Sequence, residues 1–129
     1  MENIEIDKGP KKILLIDDDP AIRKLIRKIL ETAGFEVLEA PNGGTAILLM
    51  KENPDLVLQD LILPDITGYD LVQKLRAVSE NPKVPILALS GFLERPDSPW
   101  DTSGGFNALL VKPVPAAVLL DAIMTNLSA

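Results

Sequence analysis

The chain has 129 residues, enough for one domain of ordinary size and not for two. Apolar residues make up 47% and charged residues 25%, which excludes a disordered chain and supplies both a core and a solvated surface. Cysteine and histidine are absent and the net charge is −6, so disulfide scaffolds, thiolate or imidazole metal sites, imidazole bases and counterion-driven nucleic-acid binding are not expected.

Residues 1–11 are mostly polar, end in Gly9-Pro10-Lys11 and read as a flexible leader; residues 12–129 form the domain. Ile13 to Ile16 is a short apolar block, the pattern of a strand buried on both faces. Asp19 then caps a helix with Pro20 at its first position. Ile22, Leu25, Ile26, Ile29, Leu30 and Ala33 recur at helical spacing, Gly34 supplies the stop, and Arg23, Lys24, Arg27 and Lys28 fill another face. Glu36 to Ala40 is a second strand, followed by a short helix near Thr45 that must end before Pro54. Leu56 to Gln59 is a third strand ending in Asp60, and a loop with Pro64 and Gly68 leads to a helix from about Tyr69 to Val78. Ile86 to Leu89 is a fourth strand ending in Ser90, and Ala108 to Val111 a fifth ending in Lys112-Pro113. The interval from Gly91 to Gly105 holds Pro96 and Pro99, so a fourth helix there is expected to be short or distorted. A last helix runs from about Pro115 to Leu127. Apolar strands alternating with helices predict an α/β fold: a doubly wound, five-stranded parallel sheet with helices on both faces.

In such a sheet ligands bind beyond the carboxyl ends of the strands. Those ends carry Asp17, Asp18 and Asp19, then Asp60, Ser90 and Lys112. Each alone reads as a turn or cap residue, and for Asp19 capping is the better reading. As a set they differ, because carboxylates held side by side cost free energy unless a cation joins them. Asp17, Asp18 and Asp60 against Lys112 leave two negative charges, which a divalent metal would balance. All-oxygen ligands select a hard cation, and few protein ligands suit Mg²⁺ better than Ca²⁺. A metal-bound carboxylate facing an ammonium and a hydroxyl is an arrangement for phosphoryl transfer, and an ionised carboxylate needs no general base.

The segments Ile13-Leu14-Leu15-Ile16-Asp17-Asp18-Asp19-Pro20, Pro54-Asp55-Leu56-Val57-Leu58-Gln59-Asp60 with Pro64-Asp65 and Gly68, Pro85-Ile86-Leu87-Ala88-Leu89-Ser90, and Leu110-Val111-Lys112-Pro113 resemble the receiver domains of two-component response regulators. The resemblance spans residues 12 to 127. It implies a flavodoxin-like sheet of order 2-1-3-4-5. It further implies Asp60 as phosphoacceptor, Asp17 and Asp18 with Asp60 and the Ile62 carbonyl as Mg²⁺ ligands, and Ser90 and Lys112 as the groups that meet the phosphoryl oxygens. The partners it implies are a histidine kinase or histidine phosphotransfer protein upstream and an unidentified protein downstream. Two departures from the family pattern are Leu109, where an aromatic is frequent, and the prolines after Ser90; both fall on the parts through which the family usually couples phosphorylation to output.

One alternative is an aspartyl phosphatase of the haloacid-dehalogenase kind, which also uses Asp-x-Asp after a strand with later Ser and Lys. That reading needs an acidic pair after the lysine, where only Asp121 follows, and leaves Asp60 without a role. Another is an interaction module that works without phosphorylation. No effector domain follows Leu127, so a stand-alone receiver is expected, not an enzyme beyond its own phosphorylation and slow dephosphorylation. With no signal pattern and no apolar run near ~18 residues, it is expected in the cytoplasm with neither membrane nor nucleic acid as partner. In the last helix, Leu119, Ala122, Ile123 and Leu127 suit the core; Ala117, Leu120 and Met124, with Leu109 nearby, form a second row expected to serve as an output or homodimer face. The basic face of Arg23, Lys24, Arg27 and Lys28 reads equally as a solvated helix side or as a docking surface for an acidic partner.

Overall fold

The computed structural model describes residues 9–91 and 105–128. Among them, in chain order, lie β1 (Lys12–Ile16), α1 (Pro20–Thr32), β2 (Glu36–Ala40), α2 (Gly43–Leu49) with a 3₁₀ turn over Met50–Glu52, β3 (Leu56–Asp60), α3 (Gly68–Val78), β4 (Ile86–Ser90), β5 (Ala108–Val111) and α4 (Ala116–Leu127). The strands form one parallel sheet in the order β2-β1-β3-β4-β5. Residues 1–8 of the expected leader, and 92–104 of the interval expected to hold a distorted helix, with Pro96 and Pro99, lie outside the described residues; Gly9, Pro10 and Lys11 are described and exposed.

Strand alternation divides the core in two. Leu14, Ile16, Val57, Ile86 and Ala88 face α2 and α3, packing with Ala46, Met50, Leu71, Val72 and Leu75. Ile13, Leu15, Leu56, Leu58, Leu87 and Leu89 face α1 and α4, packing with Ile26, Leu30, Leu119 and Ile123. Each fully buried Leu or Ile contributes about 1.5–3 kcal/mol through area removed from water, so the two clusters hold the sheet from both sides. Burial along the whole strand holds for β3 and β4, and for β1 beyond Lys12. β2 and β5 are edges, and Glu36 and Val111 are exposed there.

Helix ends follow the expected chemistry. Asp19 accepts hydrogen bonds from the Ala21 and Ile22 amides at 2.9 and 3.3 Å, with Pro20 at the first helical position. At the other end Gly34 has φ +99°, and the Gly34 and Phe35 amides donate to the Glu31 and Leu30 carbonyls, both at 3.0 Å, a Schellman closure. One assignment within α1 is corrected. Leu25 is 62% exposed and Ala33 is exposed as well, because the sheet covers only the Ile26–Leu30 stripe. Leu25 instead walls a shallow apolar groove of about 300 Å³ with Ile22, Ile26, Ile29, Pro113 and Val114, and Lys112 lies at its lip.

Candidate functional site

The carboxyl ends of β1, β3, β4 and β5 meet at one edge, and the turn after β1 supplies the first two acids. Asp17 is fully buried and held on every side. Its amide donates to the Ala40 carbonyl at 3.1 Å, its Oδ1 accepts the Asp19 amide at 2.9 Å, and its own carbonyl accepts Arg23 Nη1 at 2.8 Å. Asp18 is exposed at the rim. Asp60, 3% exposed at the end of β3, accepts the Ile62 amide on Oδ1 at 3.2 Å. Ligand oxygens of Asp17, Asp18 and Asp60 lie within 4.8 Å of one another.

Lys112 reaches into this cluster from the end of β5, its Nζ 3.4 Å from both Asp17 Oδ2 and Asp60 Oδ2. Burial pulls the Lys112 pKa down, but the two carboxylates outweigh it and the net shift is upward, so the side chain stays an ammonium. Asp60 is pushed up from 3.8 to about 6, first by burial and then by the Asp17 charge, with Lys112 and the Ile62 amide only partly opposing. One ammonium therefore does not balance the carboxylates. The deficit, the close oxygens and the lack of any nitrogen or sulfur donor fit a hard divalent cation of the Mg²⁺ type. Ser90 is fully buried beside this edge, and its hydroxyl donates to the Gly91 carbonyl at 3.0 Å.

The loop between β3 and α3 is shaped from both ends. An isolated bridge joins Ile62 to Thr67, and the Asp65 carboxylate accepts the Gly43 and Gly44 amides, both at 2.9 Å. Those amides hold the Asp65 pKa below the usual range. Gly68 has to be glycine, since a Cβ there would lie 2.8 Å from Leu61 Cδ2 and 3.0 Å from the Leu61 carbonyl oxygen. Asp65 follows Pro64 in the resembling segment, but no sequence spacing links it to α2; the tie exists only through contact across the fold.

The family model described as the response regulator receiver domain matches residues 13–124. The chain belongs to the receiver-domain family of response regulators. The receiver is 32% identical over 113 residues to the protein PilH of Pseudomonas aeruginosa, covering 87% of this chain and 93% of PilH. It is 29% identical over 119 residues to the polar-differentiation response regulator DivK of Brucella anthropi, covering 92% and 97% of the two chains. A solved receiver domain of a Pseudomonas aeruginosa sensor histidine kinase, with a magnesium ion coordinated in its active-site cleft, superposes with a TM-score of 0.83 at 28% identity, covering 94% of this chain and all (100%) of that one. A receiver domain from Clostridium thermocellum gives a TM-score of 0.83 at 29% identity over 92% and 94% of the two chains.

Two expected surfaces change. In the basic face of α1, Arg23 pairs with Glu39 at 3.0 Å, and Arg27 pairs with Glu39 at 2.6 Å and with Glu31 at 3.0 Å. Lys24 and Lys28 are the exposed ammoniums that remain. The second apolar row of α4 does not form a single exposed stripe. Leu120 is half-buried against the cluster under α1 and α4, and Leu109 packs on the opposite face of the sheet, against the cluster under α2 and α3. Ala117 and Met124 are exposed, as is Val118. Among the described residues no helix is long and apolar enough to cross a membrane.

Proposed function

We propose that this receiver takes a phosphoryl group onto Asp60 from a phosphohistidine of a partner kinase or phosphotransfer protein, in a Mg²⁺-dependent step. The observation that carries this reading is the convergence of Asp17, Asp18 and Lys112 on Asp60 at the end of β3. Asp17, Asp18 and Asp60, with the Ile62 carbonyl, would hold the cation, which neutralises charge building up on the phosphoryl oxygens. An Asp60 oxygen attacks phosphorus, the bond from phosphorus to the donor's imidazole nitrogen breaks, and the electron pair leaves with that nitrogen. The donor imidazole must come from the partner, since this chain has no histidine. Lys112 already faces Asp60 and would pair with a phosphoryl oxygen, while the Ser90 hydroxyl would have to turn from the Gly91 carbonyl to donate to another.

The apolar groove between α1 and the β5–α4 turn, with Leu25 exposed and Lys112 at its lip, supports docking of the donor beside the acceptor. Lys24 and Lys28, exposed on the same helix, would draw an acidic partner toward this side of the molecule. Signalling then works through altered partner binding in the cytoplasm. Downstream contact or self-association through α4 would use Ala117, Val118 and Met124, three exposed apolar residues of that helix. A phosphatase reading gains nothing from the geometry, because the Asp19 carboxylate caps α1. Incubation with acetyl phosphate and Mg²⁺ should add one phosphoryl group by intact mass, and neither Asp60→Asn nor wild type in EDTA should gain it. An unlabelled wild-type protein would favour a phosphorylation-independent module.

A further inference from the structure

Gln59 directly precedes Asp60 and is fully buried. Its register partners are Ile16 on β1 and Ala88 on β4, both members of the apolar cluster under α2 and α3. Its Nε2 donates to the Gly68 carbonyl at 2.9 Å, whereas its Oε1 has no hydrogen-bond partner. A buried carbonyl left unpaired costs free energy that an apolar side chain of similar volume would not. Packing therefore does not explain an amide at this position.

The loop does. Gly68 is the first residue of α3, and its backbone lies against Leu61, 3.1 Å from a Cβ placed at Gly68 to the Leu61 Cα. The Gln59 amide thus joins the strand before the loop to the helix after it. Inside that closure the Ile62–Thr67 bridge narrows the loop, and the Ile62 amide donates to Asp60 Oδ1. One side-chain hydrogen bond closes the base of the segment whose backbone stands beside the acceptor.

We propose that Gln59 is a positioning residue: by tying β3 to the first turn of α3 it holds the Ile62 backbone beside Asp60 and so sets the affinity of the site for Mg²⁺, at the expense of an orphaned amide oxygen. This rests on the metal reading above and assigns Gln59 no part in the chemical step. Hydrogen-bond partners that orient metal ligands typically weaken affinity by roughly tenfold or more when removed.

The test compares wild type with Gln59→Leu and Gln59→Met. It measures Mg²⁺ affinity by calorimetry, metal-free melting temperature, and amide hydrogen exchange across residues 61–67. Both variants should melt, without metal, at or above the wild-type temperature, bind Mg²⁺ about tenfold more weakly, and exchange faster at Ile62. Their labelling rate by acetyl phosphate at saturating Mg²⁺ should match wild type. Unchanged affinity and unchanged exchange would overturn the proposal, as would a lower melting temperature at unchanged affinity, the mark of a purely structural amide. If the Leu variant does not fold, the Met variant decides, and failure of both overturns the proposal. A wild-type protein that ignores Mg²⁺ refutes the metal reading instead, and Gln59 is then judged by loop exchange alone.

Discussion

Replacing Asp60 with Asn should make the metal-free protein more stable while abolishing its labelling. Asp60 has a folded-state pKa of about 6 against 3.8 for the ordinary carboxylate, raised first by burial and then by the charge on Asp17. The folded state therefore holds this proton more tightly than the unfolded chain does. The stability this gives is present at low pH and is lost as pH rises from about 4 through about 6. At about 1.36 kcal/mol per unit, the loss has an upper bound near 3 kcal/mol, and residual solvation at the open edge lowers it to roughly 1–2 kcal/mol. Asn keeps the shape and the Ile62 contact but carries no charge, so Asp60→Asn should melt some 4–8 °C above wild type at pH 7.5 in EDTA, at ~4 °C per kcal/mol for a domain of this size. The gap should close as pH falls toward 4, where the wild-type carboxyl is protonated. It should shrink in Mg²⁺, which only the wild type binds with all three carboxylates. Thermal melts by circular dichroism over pH 4–8, with and without metal, measure all of this. An Asp60→Asn protein no more stable than wild type in EDTA at pH 7.5, or a gap independent of pH, would refute the electrostatic reasoning.

Mg²⁺ at a hundredfold excess over its dissociation constant should stabilise the wild type by about 2.7 kcal/mol, read as a rising melting temperature. Gly68→Ala forces a Cβ against the Leu61 side chain and backbone, and should destabilise by about 1–3 kcal/mol in urea unfolding. Arg76 donates to the Pro82, Val84 and Gly105 carbonyls and to Asn107 Oδ1, joining α3 to the approaches of β4 and β5; Arg76→Met should cost about 2–4 kcal/mol without changing Mg²⁺ affinity. On α4, Leu120→Lys should lower the melting temperature because Leu120 packs on the core, whereas Met124→Lys, at a 54% exposed position, should leave it nearly unchanged.

What the sequence made legible is what is local or periodic. The apolar blocks gave the strands, and the Asp19-Pro20 and Gly34 signals gave both ends of α1, because caps act on amides and carbonyls a few residues away. The gathering of Asp17, Asp18, Asp60 and Lys112 followed from strand-end logic, since parallel strands deliver their carboxyl ends to one edge. Long-range contacts did not show. Glu39 neutralises Arg23 and Arg27 from the neighbouring strand, and no spacing rule links those positions. Leu25 sits in the helical row yet faces water, because periodicity defines a face without fixing how far the sheet extends beneath it. Leu109 and α4 lie on opposite faces of the sheet, a consequence of which way each crossover passes. Gln59 reads in sequence as one polar residue in an apolar strand; its tie to Gly68 exists only once the loop is folded.

The most direct test is to map the phosphoryl group. The protein is labelled with acetyl phosphate and Mg²⁺, the acyl phosphate is reduced with borohydride, and the modified residue is identified by peptide mass spectrometry. Reduction should convert Asp60 to homoserine in the peptide that carries it and leave Asp17, Asp18 and Asp19 intact. Modification at Asp17 with Asp60 untouched would contradict the receiver chemistry and point to a phosphatase-like nucleophile at the end of β1.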